Sequence, residues 1–310
     1  MKTAKKEKFE DLGLDTKAVA KGYRMLNKDG TFNIRKQNVS FYERINIFHS
    51  LVSMSWIRFF TVLVFGYLTI NIVFASLYTM IGTENLTNIR GTNALDQFIE
   101  AFFFSAQTIT TLGYGQIAPL NLPANIVAAT ESLLGLLLFA LATGLMYGRF
   151  SKPYASIKYS SHALIAPYQE INGFMFRIVN PKRNQLMEVE VTVTLSLKRD
   201  GTELRDFHLL ELERSKVVFF PAMWTVVHPI TDLSPIYGTT EKEILEKGAE
   251  FIVMIKAFDE SFSQTVYSKS SYTSKEIKWG EKFIYLPKHS GTEVTIDLSK
   301  INDTYKAALS

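Results

Sequence analysis

The 310-residue chain has no cysteine, which excludes a disulfide framework and any thiolate metal site. Histidine is scarce as well. His49, His162, His208, His228 and His289 stand far apart and form no ligand-spaced cluster. No nucleophile elbow or phosphate loop accompanies them, so an enzyme is not indicated and no cofactor is called for. Neither sign of charge dominates, the formal net charge being +4. With no Arg-rich arm and no aromatic-basic motif, nothing points to nucleic acid. The opening MKTAKKEKFEDLGLD lacks the apolar core of a cleavable leader.

Charge is also nearly missing from two internal stretches, and there the absence is informative. Phe59–Ile81 holds no ionised residue, and residues 122–148 hold only Glu131. About 20 apolar residues cross the roughly 30 Å hydrocarbon layer, so each stretch reads as a membrane span. Pro123 marks the start of the second, and Gly135 and Gly144 within it permit close packing or a hinge. Trp56 and Tyr78 suit interfacial anchoring; Tyr67 is too central. Just ahead, Phe41, Ile45, Phe48, Leu51, Val52 and Ser55 share a helical face. That pattern fits a helix lying in the interface, or else the core helix of a soluble domain.

Lysine and arginine set the orientation. The amino-terminal residues 1–40 are rich in both, Arg149, Lys152 and Lys158 follow the second span, and only Arg90 lies between the spans. Both termini are therefore expected in the cytoplasm. Residues 1–40 show no sustained period and read as a mobile or loosely docked arm. Beyond Lys158 the period changes to two. Val189, Val191, Val193, Leu195 and Leu197 alternate with Glu190, Thr192, Thr194 and Ser196, as in a half-buried strand. Asp200-Gly201 signals a hairpin leading into Leu204–Leu212. Further strand-like runs follow at 174–179, 217–227, 251–257, 265–272, 283–286 and 293–298. A short helix over Glu241–Glu246 is capped by Thr239 or Thr240 with Glu243 nearby. The pattern is an all-β sandwich. The expected organisation is an arm over 1–40, a pore-type membrane domain over 41–153, a β-sandwich over 154–300 and a tail over 301–310.

Between the spans lies FIEAFFFSAQTITTLGYGQIAP, residues 98–119. Its apolar half is too short to cross a bilayer and reads as a re-entrant helix. Irregular backbone at membrane depth is tolerated only where protein buries it or it lines water. Thr111-Leu112-Gly113-Tyr114-Gly115 satisfies that condition if the segment enters a pore. Glycines tolerate positive φ, so successive carbonyls can face one axis and replace the water shell of K⁺. Thr111–Gly115 resembles the four-fold Thr-Val-Gly-Tyr-Gly loops that form the filter of potassium channels.

The resemblance extends well past the filter. Residues 101–119 (AFFFSAQTITTLGYGQIAP), 147–153 (YGRFSKP), 159–165 (YSSHALI), 224–238 (WTVVHPITDLSPIYG) and 270–280 (SSYTSKEIKWG) resemble the inward-rectifier potassium channels, particularly their bacterial subfamily. It covers about residues 40–300 and implies a two-span pore domain with an immunoglobulin-like cytoplasmic β-sandwich. It also implies a homotetramer conducting K⁺ through filter carbonyls in the bacterial inner membrane. Departures are also present. Gln107 stands where many animal members have a filter-supporting glutamate, and no cysteines flank the pore loop. Phe139 occupies the second-span site whose acid draws blocking cations, and Lys256 replaces a further acid. Strong rectification is not expected.

Phe139, Thr143 and Tyr147 recur at i, i+4 and i+8 and so share one helical face. That face either lines a gate, as the resemblance implies, or packs on the first span. Glu131 lies two turns above and either supports the filter with Thr110 and Gln107 or meets ions directly. Arg149, Lys152 and Lys158 read as positive-inside anchors, and the resemblance adds an anionic or phosphoinositide lipid site. Resemblance alone places Glu188 and Ser263 on a cytoplasmic pore. Two rival readings stay open: a two-span sensor with a ligand-binding β domain, and a cation channel of low selectivity.

Overall fold

The computed structural model describes residues 24–35, 38, 47–151, 156–182, 184–202, 204–220, 222–290 and 293–310. The chain divides into two compact units: Gln37–Lys152, and a second made of Met1–Lys36 together with Pro153–Ser310.

The first unit is helical. Helix α1 spans Ile47–Ser53, α2 Trp56–Ile81, α3 Ala94–Ile109 and α4 Leu122–Phe150. The expected interfacial helix is thus described from Ile47; its Phe41–Asn46 portion lies outside the described residues. Helix α2 stops at Gly82, whose φ of 106° suits glycine and whose N–H reaches the Tyr78 carbonyl at 3.1 Å. Helix α3 begins earlier than its apolar run because Asn93 Oδ1 accepts from the Asp96 N–H at 2.9 Å. Asp96 then sits in the first turn, where the helix dipole favours an anion. Asn121 caps α4 in the same way, with Pro123 in the opening turn. Phe74, Ala75, Tyr78, Phe104 and Ala124 form the buried seam, with the Tyr78 and Phe104 rings edge-on at 5.0 Å. Ile57, Phe65, Met80, Leu133 and Leu137 remain exposed, as helices facing lipid require. Both α2 and α4 are long and apolar enough to cross a membrane.

The second unit is a β domain. Its strands are β1 (Lys158–Tyr159), β2 (Ala163–Tyr168), β3 (Ile171–Val179), β4 (Leu186–Lys198), β5 (Arg205–Leu209), β6 (Lys216–Phe219) and β7 (Met223–Pro229). After the short helix α5 (Glu241–Glu246) come β8 (Glu250–Asp259), β9 (Gln264–Thr273), β10 (Ile277–Trp279), β11 (Glu281–Phe283), β12 (Pro287–Ser290), β13 (Glu293–Ile296) and β14 (Thr304–Lys306). One sheet runs β1-β3-β2-β10 with β7 also on β3; the other runs β5-β4-β8-β9 with β6 also on β4. Their inner faces share one core, where Phe174 of one sheet stacks on Phe251 of the other at 4.0 Å. The Asp200-Gly201 turn joins β4 to β5, and Thr240 with Glu243 forms the expected capping box on α5. The run 217–227 is not one strand. It divides into β6 and β7 in different sheets, and the sequence between them holds Pro221, which cannot donate to a ladder.

The amino-terminal arm is not loosely docked where it is described. Residues 24–33 fold as a small hairpin with a Leu26–Phe32 bridge. The buried Glu250 carboxylate accepts from the Met25 and Leu26 N–H groups at 2.8 and 3.0 Å. Arg24 donates to the Ser271 carbonyl at 2.6 Å and pairs with Glu276 at 3.1 Å. A polar sequence without period hid this attachment because its partners lie more than 200 residues away.

Candidate functional site

The loop between α3 and α4 is built from the helix end outward. The Gln107 carbonyl accepts from two successive N–H groups, Leu112 at 2.9 Å and Gly113 at 3.1 Å. Thr110 Oγ1 turns back to the Ala106 carbonyl at 2.6 Å. Within Thr111–Gly115 the backbone alternates: φ is 58° at Thr111, 53° at Gly113 and 79° at Gly115, while Leu112 and Tyr114 stay negative. Glycine adopts that region without penalty, but Thr111 does so against its β-branched side chain. Sequence reasoning anticipated positive φ at the glycines and missed it at Thr111. A Cβ at Gly113 or Gly115 would meet nothing within 4 Å, and Leu112 and Tyr114 are 56% and 73% exposed. The C-terminal end of α3, the negative end of its dipole, adjoins this loop.

The outgoing limb is pinned by residues that periodicity did not single out. Thr87 N–H donates to the Ala118 carbonyl at 2.8 Å, Ala118 N–H returns to Thr87 Oγ1 at 2.7 Å, and Asn88 Nδ2 holds the Gln116 carbonyl at 2.7 Å.

Glu131 is fully buried between three helices. It accepts from Tyr78 Oη of α2 at 2.7 Å and is hydrogen-bonded to Ser105 Oγ of α3. Gln107 meets the loop through its main-chain carbonyl. Gly135 lies one turn along α4 from Glu131, and a Cβ there would collide with the Ile109 carbonyl. It is a close-packing glycine in this structure. Gly144 has open space around it.

Phe139, Thr143 and Tyr147 lie together on an uncovered face of α4, the two rings each 74% exposed. That face is not packed on α2 within the subunit.

Arg149 is turned inward: its Nη atoms donate to the Leu51 and Met54 carbonyls at 2.5 and 2.7 Å, at the end of α1. Its guanidinium lies 4.5 Å from the Trp56 and Phe59 ring centres, and its Nε is buried. A basic residue at a helix exit reads as a headgroup ligand; here the orphan carbonyls of α1 and two aromatic faces take it instead. Lys158 is exposed on β1 of the other unit, and Lys152 lies outside the described residues.

In the β domain Glu188 has φ 48° beside a bulge in β4, and its carboxylate pairs with Lys216 at 3.4 Å. Ser263, φ 49°, is exposed in the β8–β9 turn. Lys256 stands directly across from Glu190. Burial lowers the affinity of the His228 imidazole for its proton; Nδ1 meets the Glu211 carbonyl at 2.5 Å and Nε2 the Ser234 hydroxyl at 2.8 Å.

Two apolar helices, a re-entrant helix ending in a constrained glycine loop, and a separate β domain define a two-span membrane protein of pore-loop architecture. Comparison with known proteins is specific. Residues 157–310 match the family model described as inward rectifier potassium channel C-terminal domain, and residues 62–152 match that described as ion channel. The inward rectifier potassium channel Kirbac3.1 of Paramagnetospirillum magnetotacticum is 35% identical, covering 86% of this chain and 90% of its own. The mouse G protein-activated inward rectifier potassium channel 3 is 24% identical, covering 91% and 78%. The human ATP-sensitive inward rectifier potassium channel 8 is 23% identical, covering 92% and 74%. A solved structure of Spo0M, a sporulation control protein from Bacillus subtilis, covers 39% of this chain and 49% of its own at 13% identity. Its TM-score is 0.21. This chain belongs to the inward rectifier potassium channel family.

Proposed function

We propose that four copies of this chain surround one conduction path and pass K⁺ in preference to Na⁺. The observation carrying this reading is the alternation of φ at Thr111, Gly113 and Gly115 on an exposed loop. Peptides alternating in that way present their carbonyls to one side, and four such loops replace the hydration shell of an alkali ion with oxygen dipoles. The Thr111 hydroxyl adds the innermost oxygen. K⁺ bound there is the cargo, and no other cofactor is required. Thr110, Gln107 and Glu131 hold the loop from behind.

The uncovered face of Phe139, Thr143 and Tyr147 is the gate. Eight residues at about 1.5 Å each separate its two aromatic rings by about 12 Å along the axis. Four copies of each narrow the path enough to expel water. Gly144, open on its helix, is the hinge. Both termini lie in the cytoplasm, and the β domain continues the path there through Glu188 and Ser263. Pairing of Glu188 with Lys216 and the presence of Lys256 weaken its field for polycations, so rectification is mild. Lys152 and Lys158 meet anionic lipid at about 1 kcal/mol each, while Arg149 serves as a tie to α1.

Rubidium uptake into liposomes carrying the protein tests the reading. Uptake blocked by Ba²⁺ and lost in Gly113→Asp is expected. Equal Na⁺ and K⁺ permeation would remove the selectivity, and uptake indifferent to Gly113 would favour a two-span sensor.

A further inference from the structure

The buried group around Glu131 can be read by counting hydrogens. Tyr78 Oη lies 2.7 Å from Glu131 Oε2. Ser105 Oγ is hydrogen-bonded to Glu131 Oε1 and stands 3.0 Å from Asn71 Oδ1. Asn71 Nδ2 donates to the Tyr67 carbonyl at 2.7 Å. The three oxygen-to-oxygen contacts therefore need three hydrogens. Tyrosine and serine hydroxyls bring one each, and an ionised carboxylate brings none. Turning the Asn71 amide over does not help, since its oxygen would then face the Tyr67 carbonyl, acceptor against acceptor.

We infer that Glu131 is held as the neutral acid, its own proton on Oε1 donated to Ser105 Oγ. The Ser105 hydroxyl is then free to donate to Asn71, and Asn71 to the Tyr67 carbonyl. Every contact is satisfied in one direction, from α4 through α3 to α2, while Tyr78 donates to the remaining carboxyl oxygen. The surroundings agree. Glu131, Ser105 and Asn71 are fully buried and Tyr78 is 1% exposed. Among the described residues no cation pairs with Glu131, and the titratable side chain facing it is Tyr78 of α2. An unpaired charge at such a site is costly, whereas a neutral hydrogen-bonded acid is not. Ser105 and Asn71 thereby become positioning residues for α3, the helix that carries the loop. Only this functional consequence rests on the conduction reading; the proton itself does not.

Infrared spectroscopy of the reconstituted full-length protein with isotope-labelled glutamate tests the two separately. At neutral pH a protonated carboxyl band is expected in the wild type and lost in Glu131→Gln. It should shift to higher frequency in Tyr78→Phe, where the carboxyl oxygen loses its donor. Loss of carboxylate bands instead, or a band unmoved by Tyr78→Phe, overturns the inference even if Glu131→Gln fails to assemble. An amide donates to Ser105 and accepts from Tyr78 as the neutral acid does. Glu131→Gln should therefore retain about tenfold more rubidium uptake than Glu131→Leu, roughly the value of two hydrogen bonds. Equal uptake by the two variants would overturn the positioning role of the network. Absent uptake in the wild type would remove the conduction reading and leave the infrared result standing.

Discussion

The β domain finishes its own interior, and the helical unit does not. In the sandwich the inward positions of β3, β4 and β8 meet each other, and Phe174 on Phe251 closes the two sheets from within one chain. In the helical unit the Thr111–Gly115 loop, the Phe139–Tyr147 face and the outward faces of α2 and α4 stay uncovered. A sheet pair can satisfy its backbone and bury its apolar face alone. A pore loop at membrane depth needs lipid on one side and further copies on the other. Exposed apolar residues thus fall in two kinds of place, along the outward faces of the two long apolar helices and at Leu112 and Tyr114 of the loop between them.

The largest effect expected is on the unit that depends on other copies. Gly113→Asp places a side chain and a charge at a positive-φ position and should abolish rubidium uptake, with the tetramer still eluting intact on size exclusion. In the self-sufficient unit, Phe251→Ala should cost about 3–5 kcal/mol of stability, the usual price of an aromatic cavity. Denaturant unfolding followed by tryptophan emission of Trp224 and Trp279 would read it, with the helical circular dichroism little changed. Arg149→Gln removes two charged hydrogen bonds to the α1 carbonyls, worth about 1.5–3 kcal/mol each before relaxation. It should loosen α1, raising hydrogen exchange at Leu51–Trp56 and changing basal uptake. An unchanged exchange pattern would deny the tie. Thr240→Ala removes the α5 cap at about 1 kcal/mol, confined to the β domain.

The smallest term depends on pH. His228 binds its proton less readily in the fold than its ordinary value of about 6.5, because burial disfavours the imidazolium. As the pH falls below that value the unfolded chain takes up the proton first. Stability of the β domain is therefore complete above about pH 6.5 and is lost progressively below it. His228→Gln should flatten this part of the stability–pH curve.

Much of the architecture was legible in the sequence. Freedom from charge exposed both spans, period two exposed β4, and Thr240 with Glu243 exposed α5. Boundaries were less legible: α3 begins at Ala94 because of a side-chain cap, outside the apolar run. At the site, the loop was found through its glycines, but the left-handed conformations of Thr111 and Glu188 carry no compositional mark. Glu131 was visible as a lone acid, yet Tyr78 is 53 residues away and Ser105 26, distances no local pattern spans. Arg149 misled because its charge says nothing of the carbonyls and rings that hold it.

A bi-ionic reversal potential, measured in planar bilayers with K⁺ on one side and Na⁺ on the other, bears most directly on the central claim. A reversal displaced strongly toward the K⁺ equilibrium potential, and lost with the current in Gly113→Asp, is the result expected. A reversal near zero in the wild type would contradict it.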